Sequence, residues 1–106
     1  MHLPSPIQTY FTARAPQDGD ALAAAFAPEA IVRDEGRDHR GPQAIRMWWL
    51  AAKAKYRHHA EPIEMAQTGR KTVIRAIVTG DFPGSPAVLT FTFGLVGDHI
   101  SDLEIG

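Results

Sequence analysis

The chain has 106 residues, 44 % hydrophobic and 22 % charged, with a net charge of −1 and no cysteine. That size and balance fit a single globular domain over 1–106 with one core, not a disordered chain. They exclude disulfides, thiolate chemistry and zinc–sulfur sites, and the scattered charges lack the basic stripe that nucleic-acid binding needs.

Ser5-Pro6 reads as a helix start, with Ser5 as cap and Ile7, Tyr10 and Phe11 on one apolar stripe. Pro16 and Gly19 break that helix. Asp18 is placed to cap a second one carrying Leu22, Ala25 and Phe26, which Pro28 closes. Ala30 to Asp34 reads as the first strand, and the polar, glycine-bearing Glu35 to Gly41 as a loop. Pro42 opens the longest helix, to about Tyr56, with Ile45, Trp48, Trp49, Ala52 and Tyr56 recurring at three- and four-residue steps. The period then changes to two. His58 to Ala66, Thr72 to Thr79, Ala87 to Val96 and His99 to Ile105 form a four-strand antiparallel meander. Two prolines and a glycine make Asp81 to Pro86 a connection. No apolar run is long enough to span a bilayer, and Met1-His2-Leu3-Pro4 lacks the pattern of a secretion signal, so a cytoplasmic protein is expected.

This order predicts an α+β domain: a curved, cone-shaped, antiparallel-rich sheet wrapped around three helices, with a cavity at its open end. Phe26-Ala27-Pro28-Glu29-Ala30, Asp34-Glu35-Gly36-Arg37-Asp38-His39-Arg40-Gly41, Ala44-Ile45-Arg46 with Trp49, and Gly80 to Pro86 together carry a resemblance. They resemble the nuclear transport factor 2-like superfamily, in particular its SnoaL-like members, over nearly the whole chain. That superfamily includes isomerases, cyclases, dehydratases, epoxide hydrolases and proteins without chemistry, so the resemblance implies a fold and not a reaction. A distant similarity to ketosteroid isomerase implies Tyr10 as an oxyanion donor and Asp34 as the group that moves a proton. The third residue of that site, an acid two residues before Phe91-Thr92-Phe93, is Leu89 here. Losing one oxyanion donor costs roughly 10²–10³ in rate, which argues against a ketosteroid isomerase.

A carboxylate at the inner end of a strand, facing an apolar cavity, has its pKa raised by desolvation, which suits Asp34 to general-base work. The bland alternative makes Asp34 a loop cap and Tyr10 an ordinary core tyrosine. Phe26, Val32, Trp49, Tyr56, His58, Phe91 and Phe93 are the expected ligand-lining residues, with Trp49 preferred to Trp48 because it shares the Ile45–Ala52–Tyr56 stripe. His58 and His59 are adjacent on a strand, point to opposite faces and cannot chelate one metal together. No metal and no cofactor are expected.

Three functions follow: a SnoaL-like isomerase, cyclase or lyase acting on a hydrophobic carbonyl compound; a small-molecule-binding module without chemistry; or a dimerisation domain. A hydrophobic small molecule is the expected ligand, with neither nucleic acid nor membrane as a partner. Resemblance and small size imply a homodimer, with the outer sheet face as its contact.

Overall fold

The computed structural model describes residues 1–106. Three helices, α1 (Ser5–Thr12), α2 (Gly19–Ala24) and α3 (Pro42–Tyr56), accompany six strands. The strands are β1 (Phe26–Asp34), β2 (Arg37–Arg40), β3 (His59–Thr68), β4 (Lys71–Thr79), β5 (Ala87–Val96) and β6 (His99–Ile105). They make one mixed sheet in the order β2-β1-β6-β5-β4-β3. The β3 to β6 meander is antiparallel throughout, and β6 then pairs in parallel with β1. No helix is long and apolar enough to cross a membrane.

One core joins the helices to one side of the sheet. Ile7, Leu22, Ile45 and Trp49 from the helices pack with Val32, Ile74, Ala76, Phe93, Ile100 and Leu103 from the strands. Ile74, Ala76 and Val78 alternate with the exposed Arg75 and Ile77, so the period-two pattern of β4 reports its two faces directly. Arg75 therefore lies on the outer face, where it donates to Glu64 at 3.0 Å.

Four expectations need correction. The stretch read as a loop, Glu35 to Gly41, contains β2, paired with β1 through Ile31↔Arg40 to Asp34↔Arg37. Glu35 and Gly36, at φ +52° and +74°, form the two-residue hairpin turn between them. An edge strand of four largely exposed polar residues shows no hydrophobic alternation, which hid it. The second helix stops at Ala24, and Phe26 already belongs to β1. Pro28 is tolerated there because β1 has no ladder partner between Phe26 and Ile31. Ser5 makes no capping bond, and the first cap position belongs to Pro4. Asp18 holds the cap position of α2, but its carboxylate accepts the Arg14 amide instead, at 2.8 Å.

The weak pattern of β3 also has a cause. It is the other edge of the sheet, almost wholly exposed, with a bulge between Pro62 and Glu64.

Candidate functional site

The largest concentration of chemistry lies in a cavity of about 460 Å³ between α1, α3 and the ends of the strands. Val78, Phe82, Pro83, Leu89, Phe91 and Ile105 give it an apolar wall. Tyr10, Asp34, Glu35, Trp48, Tyr56 and His58 bring its polar atoms. A second chamber of about 500 Å³ shares Asp34, Glu35, Trp48, Ala52 and Tyr56 with the first. It adds Arg37, His39, Ala51 and Lys55, which makes it the more charged of the two.

Each polar group is placed by its element. Tyr10 sits on the buried side of α1 with only 9 % of its surface exposed. Its ring packs edge-on to Phe11 and Phe93 at 5.2 and 5.6 Å, and its hydroxyl takes part in none of the protein's side-chain hydrogen bonds. Burial, and then the charge of Asp34, push its pKa above the ordinary tyrosine range, so the hydroxyl keeps its proton. Asp34 ends β1 immediately before the hairpin turn. Burial raises its pKa, Glu35 raises it further, and the bond from Trp48 and the His39 imidazole pull it partly back.

Trp48 donates its indole N–H to Asp34 Oδ2 at 3.2 Å and stacks on His39 with ring centroids 5.6 Å apart. One carboxylate oxygen is thereby held by the wall. Tyr56 donates to Glu35 Oε1 at 3.1 Å, and both residues line the two chambers. That contact depends on Glu35 adopting a left-handed backbone, a conformation that costs a non-glycine residue about 1 kcal/mol or more.

His58 precedes β3 and faces the cavity, whereas His59 is exposed. Its Nδ1 is buried with no hydrogen-bond partner. Burial, then the charges of Lys53 and His59, depress its pKa to about 4. Above pH 6.5 the imidazole is neutral folded or unfolded, and no stability is lost. As pH falls from 6.5 towards 4 the unfolded chain takes up a proton that the folded chain refuses, so stability declines across that window. The His58→Gln variant is expected to lose roughly 5 °C less than wild type between pH 7 and pH 4, read by thermal melts. Equal losses would mean that His58 titrates normally.

The cavity brings together Tyr10, Asp34, Tyr56, His58 and Phe91 of the sequence-predicted set. Phe26, Val32, Trp49 and Phe93 lie outside its wall, at 3 %, 0 %, 2 % and 0 % exposure in the core. The two tryptophans thus exchange their expected places: Trp49 fills the core and Trp48 lines the cavity. Sequence reasoning also passed over Glu35, Phe82 and Pro83 as wall residues. The position that the ketosteroid isomerase resemblance marks for an acid is occupied by Leu89, an apolar part of the wall. No three His, Asp or Glu side chains are grouped to hold a metal ion.

The SnoaL-like domain matches residues 7–99. The chain belongs to the SnoaL-like family. A candidate polyketide cyclase of Sinorhizobium meliloti is 46 % identical, with a TM-score of 0.91 over 98 % of this chain and 95 % of that one. A Catenulispora acidiphila protein with a ketosteroid isomerase-like fold is 19 % identical, with a TM-score of 0.83 over 99 % and 86 %. A candidate SnoaL-like polyketide cyclase from Jannaschia is 13 % identical, with a TM-score of 0.77 over 100 % and 89 %. The last two likenesses concern the fold alone. Among curated protein sequences, none matches the chain.

Proposed function

We propose that this SnoaL-like protein moves a proton next to the carbonyl of an apolar small molecule, as an isomerase, cyclase or lyase without a cofactor. The sheet curled over the helices leaves the apolar end in which the ligand sits. The observation that carries the reading is the shared cavity wall: a tyrosine hydroxyl with no protein partner and a carboxylate of raised pKa open onto one space. Asp34, with Oδ2 held by Trp48, takes the proton from carbon through its remaining oxygen. Tyr10, kept protonated by its surroundings, donates to the developing enolate oxygen. With Leu89 in place of an acid the oxyanion has one fixed donor, so a modest rate is expected. The 46 % identical candidate polyketide cyclase supports this class of chemistry.

The test is NMR-detected exchange of hydrogen for deuterium at the α-carbons of neutral cyclic ketones and β-diketones in D₂O. Exchange accelerated at least tenfold over buffer is expected for compounds that fit the cavity. A second reading, a binding module without chemistry, is favoured by the apolar Leu89 and the mainly apolar wall. Ligands that raise the melting temperature yet exchange no faster than in buffer would decide for it. We also propose that two copies pair through the outer sheet face, where Ile77 and Val88 are 37 % and 47 % exposed.

A further inference from the structure

Most of the protein's aspartates answer a cation. Asp20, Asp38, Asp81 and Asp102 each pair with an arginine or lysine, as does Glu64. The two carboxylates in the inner cavity do not: neither Asp34 nor Glu35 has an ion-pair partner, and no arginine or lysine lines that wall. Asp34 accepts the Trp48 indole N–H and Glu35 the Tyr56 phenol O–H, both neutral donors, while the Glu35 backbone N–H and the His39 imidazole favour the ionised form of Asp34 only partly. Arg37 and Lys55 line the second chamber, which Asp34 and Glu35 also line, but neither pairs with a carboxylate there, and Lys55 Nζ lies 5.0 Å over the Tyr56 ring.

Around these carboxylates stand five aromatic rings: Tyr10, Trp48, Tyr56, Phe82 and Phe91. Tyr56 and Phe82 meet edge to face at 88°, so their faces are turned in different directions. Aromatic faces attract cations, and the attraction grows in a site shielded from water. An apolar enclosure holding negative charge also penalises a second anion. The Tyr10 side chain is nine-tenths buried, lines the same space, and its hydroxyl has no protein partner, which marks that space as a ligand site.

We infer that the inner cavity takes an organic cation, an apolar compound bearing a protonated or quaternary amine, and rejects carboxylates of the same shape. The ligand supplies the positive charge that the wall lacks, with its ammonium between Asp34, Glu35 and the rings of Trp48 and Tyr56. This rests on the cavity being the ligand site, and it adds amine-bearing ketones to the neutral carbonyl compounds worth testing.

Benzyltrimethylammonium, its uncharged carbon isostere neopentylbenzene, and 3-phenylpropanoate provide a matched set. Tryptophan-fluorescence titration at pH 7.5 is expected to give the ammonium a Kd at least tenfold below that of the other two. The double variant Asp34→Asn, Glu35→Gln is expected to erase the preference over neopentylbenzene, and thermal melts check that it stays folded. Trp48→Leu should reduce the preference with both carboxylates intact. Equal or tighter binding of the isostere or the carboxylate to wild type overturns the inference, as does a preference that survives the double variant. The readout is affinity without turnover. A missing preference leaves the exchange chemistry standing, and missing exchange leaves the preference standing.

Discussion

Asp34→Asn is expected to lower α-carbon exchange by about 10³-fold, within the 10²–10⁴ range that a positioned base contributes, with no loss of thermal stability. Asparagine keeps the shape and keeps an oxygen for the Trp48 indole, now 3.2 Å from Oδ2, but it has no basic lone pair to offer carbon. The sign of the stability change follows from the pKa. Burial raises that of Asp34 in the folded protein, so ionising it costs the folded state more than the unfolded one. Relative stability is complete below the unfolded carboxylate value, near pH 4, and is lost as pH rises through the folded value. The neutral variant escapes that loss. Its melting temperature is expected to equal wild type at acid pH and to exceed it at pH 7. A variant that still exchanges at the wild-type rate would remove Asp34 from the chemistry. One that melts lower at pH 7 would show a structural carboxylate.

Gly80→Ala is expected to be the most damaging small change outside the polar groups. A methyl there would stand 2.7 Å from the Tyr56 carbonyl oxygen, 2.7 Å from His58 Cβ and 2.9 Å from His58 Cα. These atoms belong to backbone and to a Cβ, so no flexible side chain can swing aside. The neighbouring Asp81 N–H donates to the same Tyr56 oxygen at 2.6 Å, and the Gly80 N–H donates to Ser85 Oγ at 2.9 Å. The close approach fastens the β4–β5 connection to the end of α3, and that connection carries Phe82 and Pro83 into the cavity wall. Overpacking at such a point costs about 1–3 kcal/mol, or roughly 5–20 °C in Tm for a domain of this size. Ligand affinity should fall with it, because Phe82, Pro83 and His58 move together. A Gly80→Ala protein melting within 2 °C of wild type would show that the approach is looser than described.

The parts of the site legible in the sequence are those fixed by local rules. Local rules put Asp34 at the end of a β-rich run and Tyr10 on the Ile7 face of a helix, and the resemblance to ketosteroid isomerase is what singled them out. The exchange of Trp48 and Trp49 has a geometric origin. At about 100° per residue, Trp48 lies roughly 60° to one side of Ile45 and Trp49 roughly 40° to the other. Both fall within one broad apolar arc, and only the surrounding sheet decides which meets packed side chains and which meets open space. Phe26 and Phe93 were indistinguishable from wall residues for the same reason, since apolarity marks burial and not the side of a cavity. Glu35 was hidden differently. Its place beside Asp34 on the cavity wall follows a left-handed backbone, and glutamate is not a residue that announces one.

The hairpin of β1 and β2, which carries Asp34 and Glu35, joins the rest of the sheet through β6 alone. Its parallel partners on β6, Ile100 and Asp102 to Glu104, lie about 70 residues further along the sequence. Before β6 is made the hairpin can pack only on α2 and α3, and its sheet edge stays unpaired. Contacts this distant in sequence also slow folding, because a long loop must close before the pairing is gained. Because β6 belongs to both pairings, the strand that completes the meander is also the one that ties the Asp34–Glu35 hairpin to the sheet.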